Sequence, residues 1–90
     1  MAQTIEGGQP INLTASGAVS LMPGTLLGFY VNSTSSGTVV VKNGTTTAGT
    51  AASGTITPAI GFHRFPASLS TGCFIDIGST INATFFFAPG

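Results

Sequence analysis

The side chains able to carry chemistry are few, and their spacing joins none of them into a reactive set. The chain holds one histidine (His63), one cysteine (Cys73), two carboxylates (Glu6 and Asp76) and two cations (Lys42 and Arg64). A Ser-His-Asp relay needs a nucleophile bonded to a base that a carboxylate orients. His63, Asp76 and any of nine serines supply the residue types, but no Gly-x-Ser-x-Gly elbow presents the serine. Glycoside hydrolysis needs two carboxylates flanking one bond. Here they would have to be Glu6 and Asp76, with Glu6 in a segment that has no core. One histidine and one cysteine fall short of a structural zinc site. No Gly-x-x-x-x-Gly-Lys phosphate loop occurs. The expectation is a protein that is not an enzyme, with no catalytic residue, no metal and no cofactor. His63 with Arg64 reads as a solvated pair beside a strand edge, or as a small anion hook at an interface. Cys73 reads as a small buried hydrophobe, with a disulfide across a symmetry axis as the alternative.

Charge is the most unusual feature of the composition. Charged residues make up 4% of the chain, against roughly 25% in an ordinary domain. A free monomer stays dispersed through mixed surface charge and a net charge away from zero, whereas the formal net charge here is zero. Polarity comes from Thr, Ser and Asn instead. A surface kept wet by hydroxyls and amides is one reading; surface that becomes interface inside an assembly is the sharper one. Two scattered cations cannot neutralise a row of phosphates, so nucleic acid is not an expected direct partner. No apolar run approaches the roughly 20 residues that span a bilayer, so no membrane is expected either. The first ten residues show neither the basic nor the apolar region of a secretory signal. Four Asn-x-Thr sequons occur, at Asn12, Asn32, Asn43 and Asn82. They read as turn and strand chemistry, with no attached glycan expected. The threonine runs at 45–47 and 55–57 lack the fixed period of an ice-binding array.

With 90 residues there is room for one domain, which buries only about 60% of its unfolded surface. Disulfides, metals and oligomerisation support such small domains. A lone cysteine rules out an intrachain disulfide, which leaves oligomerisation. No stretch keeps helical periodicity, and short apolar runs alternate with turn residues at sandwich-like spacing. Residues 1–14 read as an extended arm and residues 15–90 as a single all-β domain, with Ile11 to Ala15 and Ala18 to Met22 as candidate strands separated by Ser16-Gly17. The runs 26–32 and 38–42 form a hairpin around Ser33–Gly37. Asn43-Gly44 is the strongest turn signal and should fold 45–47 back onto 38–42. A weak strand at 55–57 stops at Pro58; another at 60–65 ends at Pro66, an edge or a corner. The runs 73–77 and 80–87 form a second hairpin around Gly78-Ser79. In all, seven to nine short strands are expected, arranged as a small β-sandwich or jelly roll.

Side chains alternate across a strand, so each run divides into two stripes. Ile81, Ala83, Phe85 and Phe87, continued by Cys73, Ile75 and Ile77, make a core face. Phe74 and Phe86 then point the other way, among Asp76, Asn82 and Thr84. If Leu27, Phe29 and Val31 face the core, Leu26 and Tyr30 face outward. A domain this small cannot cover both faces of its sheets. The outward Tyr30, Phe74, Phe86 and Leu26 are therefore the expected interface residues, joined by Ile5 and Ile11 from the arm.

From Leu26 to Phe87 the chain runs LLGFYVNSTSSGTVVVKNG, then GTITPAIGFHRFP, then STGCFIDIGSTINATFFF. In its Lys-Asn-Gly turn, its Gly-Thr-Ile-Thr-Pro segment and its final two-run pattern, it resembles small virion proteins of tailed bacteriophages, head-decoration (cement) proteins among them. That resemblance implies a subunit on the capsid exterior, made in the host cytoplasm, that clamps neighbouring capsomers. The implied partners are the major capsid protein and other copies of the chain, as a homotrimer or a dimer, with residues 1–14 laid on the shell. The alternative is a receptor- or glycan-binding module of a phage fibre or adhesin, for which Tyr30 beside Asn32 would supply an aromatic platform.

Overall fold

The computed structural model describes residues 9–89. Among them are six strands and no helix: β1 (Gln9–Leu13), β2 (Gly17–Ser20), β3 (Gly24–Asn43), β4 (Thr50–Ala51), β5 (Gly61–Leu69) and β6 (Cys73–Pro89). All pairings are antiparallel and belong to one sheet. Its spine is the long β3–β6 ribbon, with Gly24 opposite Pro89 at one end and Asn43 opposite Cys73 at the other. The second edge of β6 pairs with β1 near one end and β2 near the other. The second edge of β3 pairs likewise with β5 and β4. The sheet is thus four strands wide at each end and two strands wide in the middle.

The ribbon is bent back on itself. Twenty straight residues would span about 66 Å, yet the longest dimension of the whole chain is 42 Å. Its two ends are tied together where β5 hands over to β6. Asn43 Nδ2 donates to Ser70 Oγ at 3.0 Å, Thr71 N–H donates to Asn43 Oδ1 at 2.9 Å, and Gly44 N–H donates to the Gly72 carbonyl at 3.2 Å. The bend lies at residues 31–36 of β3 and 79–82 of β6. There the register slips twice, and Ser35 and Ser36 both oppose Thr80. Ser36 and Ser79 take positive φ, 56° and 57°. Extra residues on one strand of a pair bend it and increase its twist. The segments Ser33–Gly37 and Gly78-Ser79 are therefore bends within continuous strands, not hairpin loops. This is why six strands form where seven to nine were expected.

Other boundaries also differ from expectation. The chain does reverse after Asn43-Gly44, but the returning strand is Thr50–Ala51, opposite Asn43 and Lys42, while 44–49 form the loop. Residues 55–57 contribute one bridge, Ile56 to Val39, closed by two 2.8 Å backbone bonds. β5 continues through Pro66 to Leu69. Proline is tolerated there because β5 has a single neighbour, and because residues 65 and 66 fall where the β3–β5 register slips.

The core lies on one face of the folded sheet. β6 contributes Cys73, Ile75, Ile81, Ala83, Phe85 and Phe87, all buried, in the alternation read from the sequence. β3 contributes Leu26, Phe29, Val31, Val39 and Val41. The Phe29 and Phe85 rings meet with centroids 5.2 Å apart. Leu26 corrects the sequence reading: it is 0% exposed and faces the core, not the outside. The cause is a bulge between Leu26 and Gly28, which adds one residue and puts Leu26 on the same side as Phe29. The segment containing Ile11 also departs from the arm reading. Residues 9–13 pair with 83–87 as β1, and Ile11 packs against the core of its own chain. Ile5 and the rest of residues 1–8 lie outside the described residues.

Candidate functional site

At the end built from β1, β6, β3 and β5, the outward face presents two successive rows of side chains. One runs Pro10, Phe86, Gly28 and Arg64; the next runs Asn12, Thr84, Tyr30 and Phe62. Tyr30 is 44% exposed and Phe62 57%. Phe86 is half-buried, and its ring lies 6.2 Å from that of Phe62. These two rings come from strands on either side of β3, and Gly28 lets them meet. A Cβ at Gly28 would fall 2.5 Å from the His63 carbonyl oxygen and 3.1 Å from Phe62 Cζ. With hydrogen there instead, the Phe62 ring lies over the strand.

Beside the rings is a polar cluster drawn from three strands. Asn12 Nδ2 donates to Asn82 Oδ1 at 2.9 Å and to Thr84 Oγ1 at 3.0 Å. From the other side Asn32 Nδ2 donates to the same two oxygens, at 3.2 and 3.3 Å. Three of the four sequon asparagines therefore share one network. The cause is periodicity: residues i and i+2 share a face of a strand, so Asn82-Ala-Thr84 on the central strand offers two acceptors to both neighbours.

The expected interface residues separate. Tyr30 and Phe86 are brought to this one surface. Phe74 is half-buried on the outward face of the opposite end, in register with Lys42 and Ala18. Leu26 and Ile11 turn inward, as described above. Phe62 was not singled out from the sequence: it lies inside the expected 60–65 strand, but that short run was not divided into faces, and Phe62 shares its parity with Arg64 and Pro66. Leu21, Met22 and Ile60 are further exposed apolar residues, all in loops.

Charge is nearly absent from the surface. Lys42 and Asp76 pair at 3.5 Å on the opposite end, and Lys42 Nζ also donates to the Thr47 carbonyl at 2.6 Å. Among the described residues that leaves Arg64 as the one charge beside Phe62 and Phe86. Comparison with protein-family models, curated proteins and solved structures finds no match. The reading therefore rests on the geometry.

The reactive residue types are kept apart. The His63 ring stacks on Phe29 with centroids 5.2 Å apart, and its Nε2 lies 2.7 Å from the Ala59 carbonyl. Asp76 instead accepts from Ser16 Oγ at 3.1 Å and pairs with Lys42. No described serine bonds His63, so the described residues assemble no acyl-transfer relay. Burial pushes the Cys73 thiol from its ordinary 9.0 up to about 12, which keeps it protonated and unreactive at neutral pH. What this face can do chemically is bind: it offers rings, amides and hydroxyls, and little charge.

Proposed function

We propose that this chain is a non-enzymatic structural subunit that decorates and stabilises a phage capsid by binding between capsomers. In this reading the two ends of the folded sheet act as the layers of a small β-sandwich, and the Phe62–Phe86 surface is its contact face. The observation that carries the proposal is the pair of aromatic rings on one outward face with a single charge beside them. Burying a large apolar side chain contributes about 1.5–3 kcal/mol. Two or three such rings are modest against the loss of free motion on association. They become strong when several copies attach at once, because each later contact is made at high effective concentration. The resemblance of residues 26–87 to head-decoration proteins agrees with that use. The partners in this reading are the major capsid protein and further copies of the chain, as a homotrimer or dimer on the capsid exterior.

Light scattering on a sizing column tests the self-association. The expected species has two or three times the 8.9 kDa mass of one chain. Phe62→Ser, a change at an exposed position, should reduce it to a single chain that keeps the β-sheet circular dichroism of the parent and melts at a temperature independent of concentration. A folded single chain at high concentration in the parent protein refutes the oligomer. A variant that stays assembled refutes the assignment of this face.

A further inference from the structure

We propose that Tyr30, with the Asn12–Asn32–Asn82–Thr84 cluster, forms a binding site for one neutral sugar ring of a glycan. The hydrogen-bond bookkeeping carries the argument. A carboxamide has two N–H donors and a carbonyl that accepts twice. The cluster uses the amide N–H groups of Asn12 and Asn32, which converge on Asn82 Oδ1 and Thr84 Oγ1, with the Ala83 carbonyl as a further acceptor for Asn12 at 3.3 Å. Within those bonds Asn12 Oδ1, Asn32 Oδ1, the two donors of Asn82 Nδ2 and the Thr84 hydroxyl hydrogen take no part. Acceptors therefore sit on the two flanking strands, with donors on the central one. Each is held in place by bonds to its neighbours, so little side-chain freedom is lost when a ligand arrives.

A sugar matches this array. Its hydroxyls both donate and accept, and its C–H face is apolar. Tyr30 shares its face of β3 with Asn32 and stands in register with Thr84, so its half-exposed ring lies next to the amides. A ring with an apolar body and a polar tip suits a ligand that is apolar on one face and hydroxylated at its edge. No charged side chain belongs to the cluster, so its amides and hydroxyl match the hydroxyls of a neutral ring and offer no ion pair to an acidic one. The inference does not rest on the assembly reading: Phe62 and Phe86 carry that one, and Tyr30 with the amides carries this.

The test uses the whole chain and neutral probes: glucose, galactose, mannose, N-acetylglucosamine and their disaccharides. Saturation-transfer NMR detects binding, and shift mapping on labelled protein locates it. The expected result is millimolar binding of at least one probe, with shifts concentrated on the side-chain amides of Asn12, Asn32 and Asn82. Tyr30→Ala should weaken it about tenfold or more, the loss of one good contact. Tyr30→Phe should retain most of it. Asn32→Ala, at an exposed position, should weaken it with no change in melting. Phe62→Ser should leave it intact, so failure of this site and failure of the assembly face are told apart. No saturation transfer from any probe overturns the proposal. So does binding unaffected by Tyr30→Ala, a preference for sialylated over neutral sugars, or cluster shifts produced only by a protein partner.

Discussion

Leu26→Ala and Leu27→Ala remove the same side chain at adjacent positions, and the bulge at the start of β3 makes their consequences unequal. Simple alternation from Phe29 and Val31 places Leu27 inside. The structure places Leu26 inside at 0% exposure, opposite Phe87 and Ala67, and leaves Leu27 half-buried. Truncating a fully buried leucine costs about 2–5 kcal/mol, the transfer of the lost methyls plus the cavity left behind. A chain of this length has about 5–13 kcal/mol of total stability at the usual 0.05–0.15 per residue. Leu26→Ala should therefore lower the melting temperature by about 8–40 °C, at roughly 4–8 °C per kcal/mol for a domain of this size. Leu27→Ala should cost about 1 kcal/mol, in proportion to its partial burial. Urea unfolding followed by circular dichroism reads both, with an unchanged slope required so that midpoint shifts report stability alone. Equal losses, or a larger loss at Leu27, would mean that β3 runs without the bulge. Gly28 and Tyr30 would still face outward by alternation from Phe29, so that result would overturn the phase of Leu26 and Leu27 alone.

Two further outcomes follow from single contacts. Gly28→Ala sets a methyl 2.5 Å from the His63 carbonyl oxygen, a backbone atom that cannot swing away. It should cost about 1–3 kcal/mol as overpacking and should separate Phe62 from Phe86. Thermal melting and ring-to-ring NOEs check this, and an unchanged melt with intact NOEs would sink it. Cys73, raised from 9.0 to about 12 by burial, keeps its proton in the fold at pH values where the unfolded chain loses it. Its contribution is present in full below pH 9 and is lost as pH rises from 9 towards 12, by up to about 1.4 kcal/mol per pH unit. Denaturation midpoints on both sides of pH 9 should show that extra slope in the parent protein and lack it in Cys73→Ala.

The all-β class and the inward stripe of β6 were legible because period-2 alternation runs unbroken from Ile81 to Phe87. In the Val39–Val41 run, where both stripes are apolar, alternation alone does not say which one is inward; the structure buries Val39 and Val41. What alternation cannot reveal is a change of phase. One extra residue near Leu27 inverted the reading of Leu26; Gly28 is the local marker of such a bulge, but a glycine does not by itself say how the phase changes. Ser33–Gly37 and Gly78-Ser79 carry ordinary turn composition, and locally nothing separates a loop from a bend. The difference is that β3 and β6 pair with each other along nearly their whole length, a long-range fact that short-range signals do not hold. The site was half-legible. Tyr30 and Phe86 came from parity, whereas Phe62, inside the expected 60–65 run, was missed because its ring meets Phe86 only across β3. The asparagine cluster was hidden because its members, at 12, 32 and 82, meet only once β1, β6 and β3 are placed side by side.

The placement of the prolines bears on how such a neutral chain associates. Open sheet edges invite pairing with another chain, and proteins commonly guard them with charge. This chain has almost no charge to spend there. Edge strands β2 and β4, at one end, are only four and two residues long and carry no proline. At the end that carries Phe62 and Phe86 the two edge strands instead each carry a proline, Pro10 in β1 and Pro66 in β5. Each removes a backbone donor from its strand, and on β5 Arg64 adds a charge of the same effect. The outward faces have no comparable guard: Tyr30 and Phe62 are open to solvent. An end blocked along both edges and apolar on its face is built to meet partners through side chains, at a fixed site, and not by extending its sheet. That distinction supports both an assembly surface at Phe62–Phe86 and a ligand site at Tyr30, since each needs a face that remains a face when copies of the chain come together.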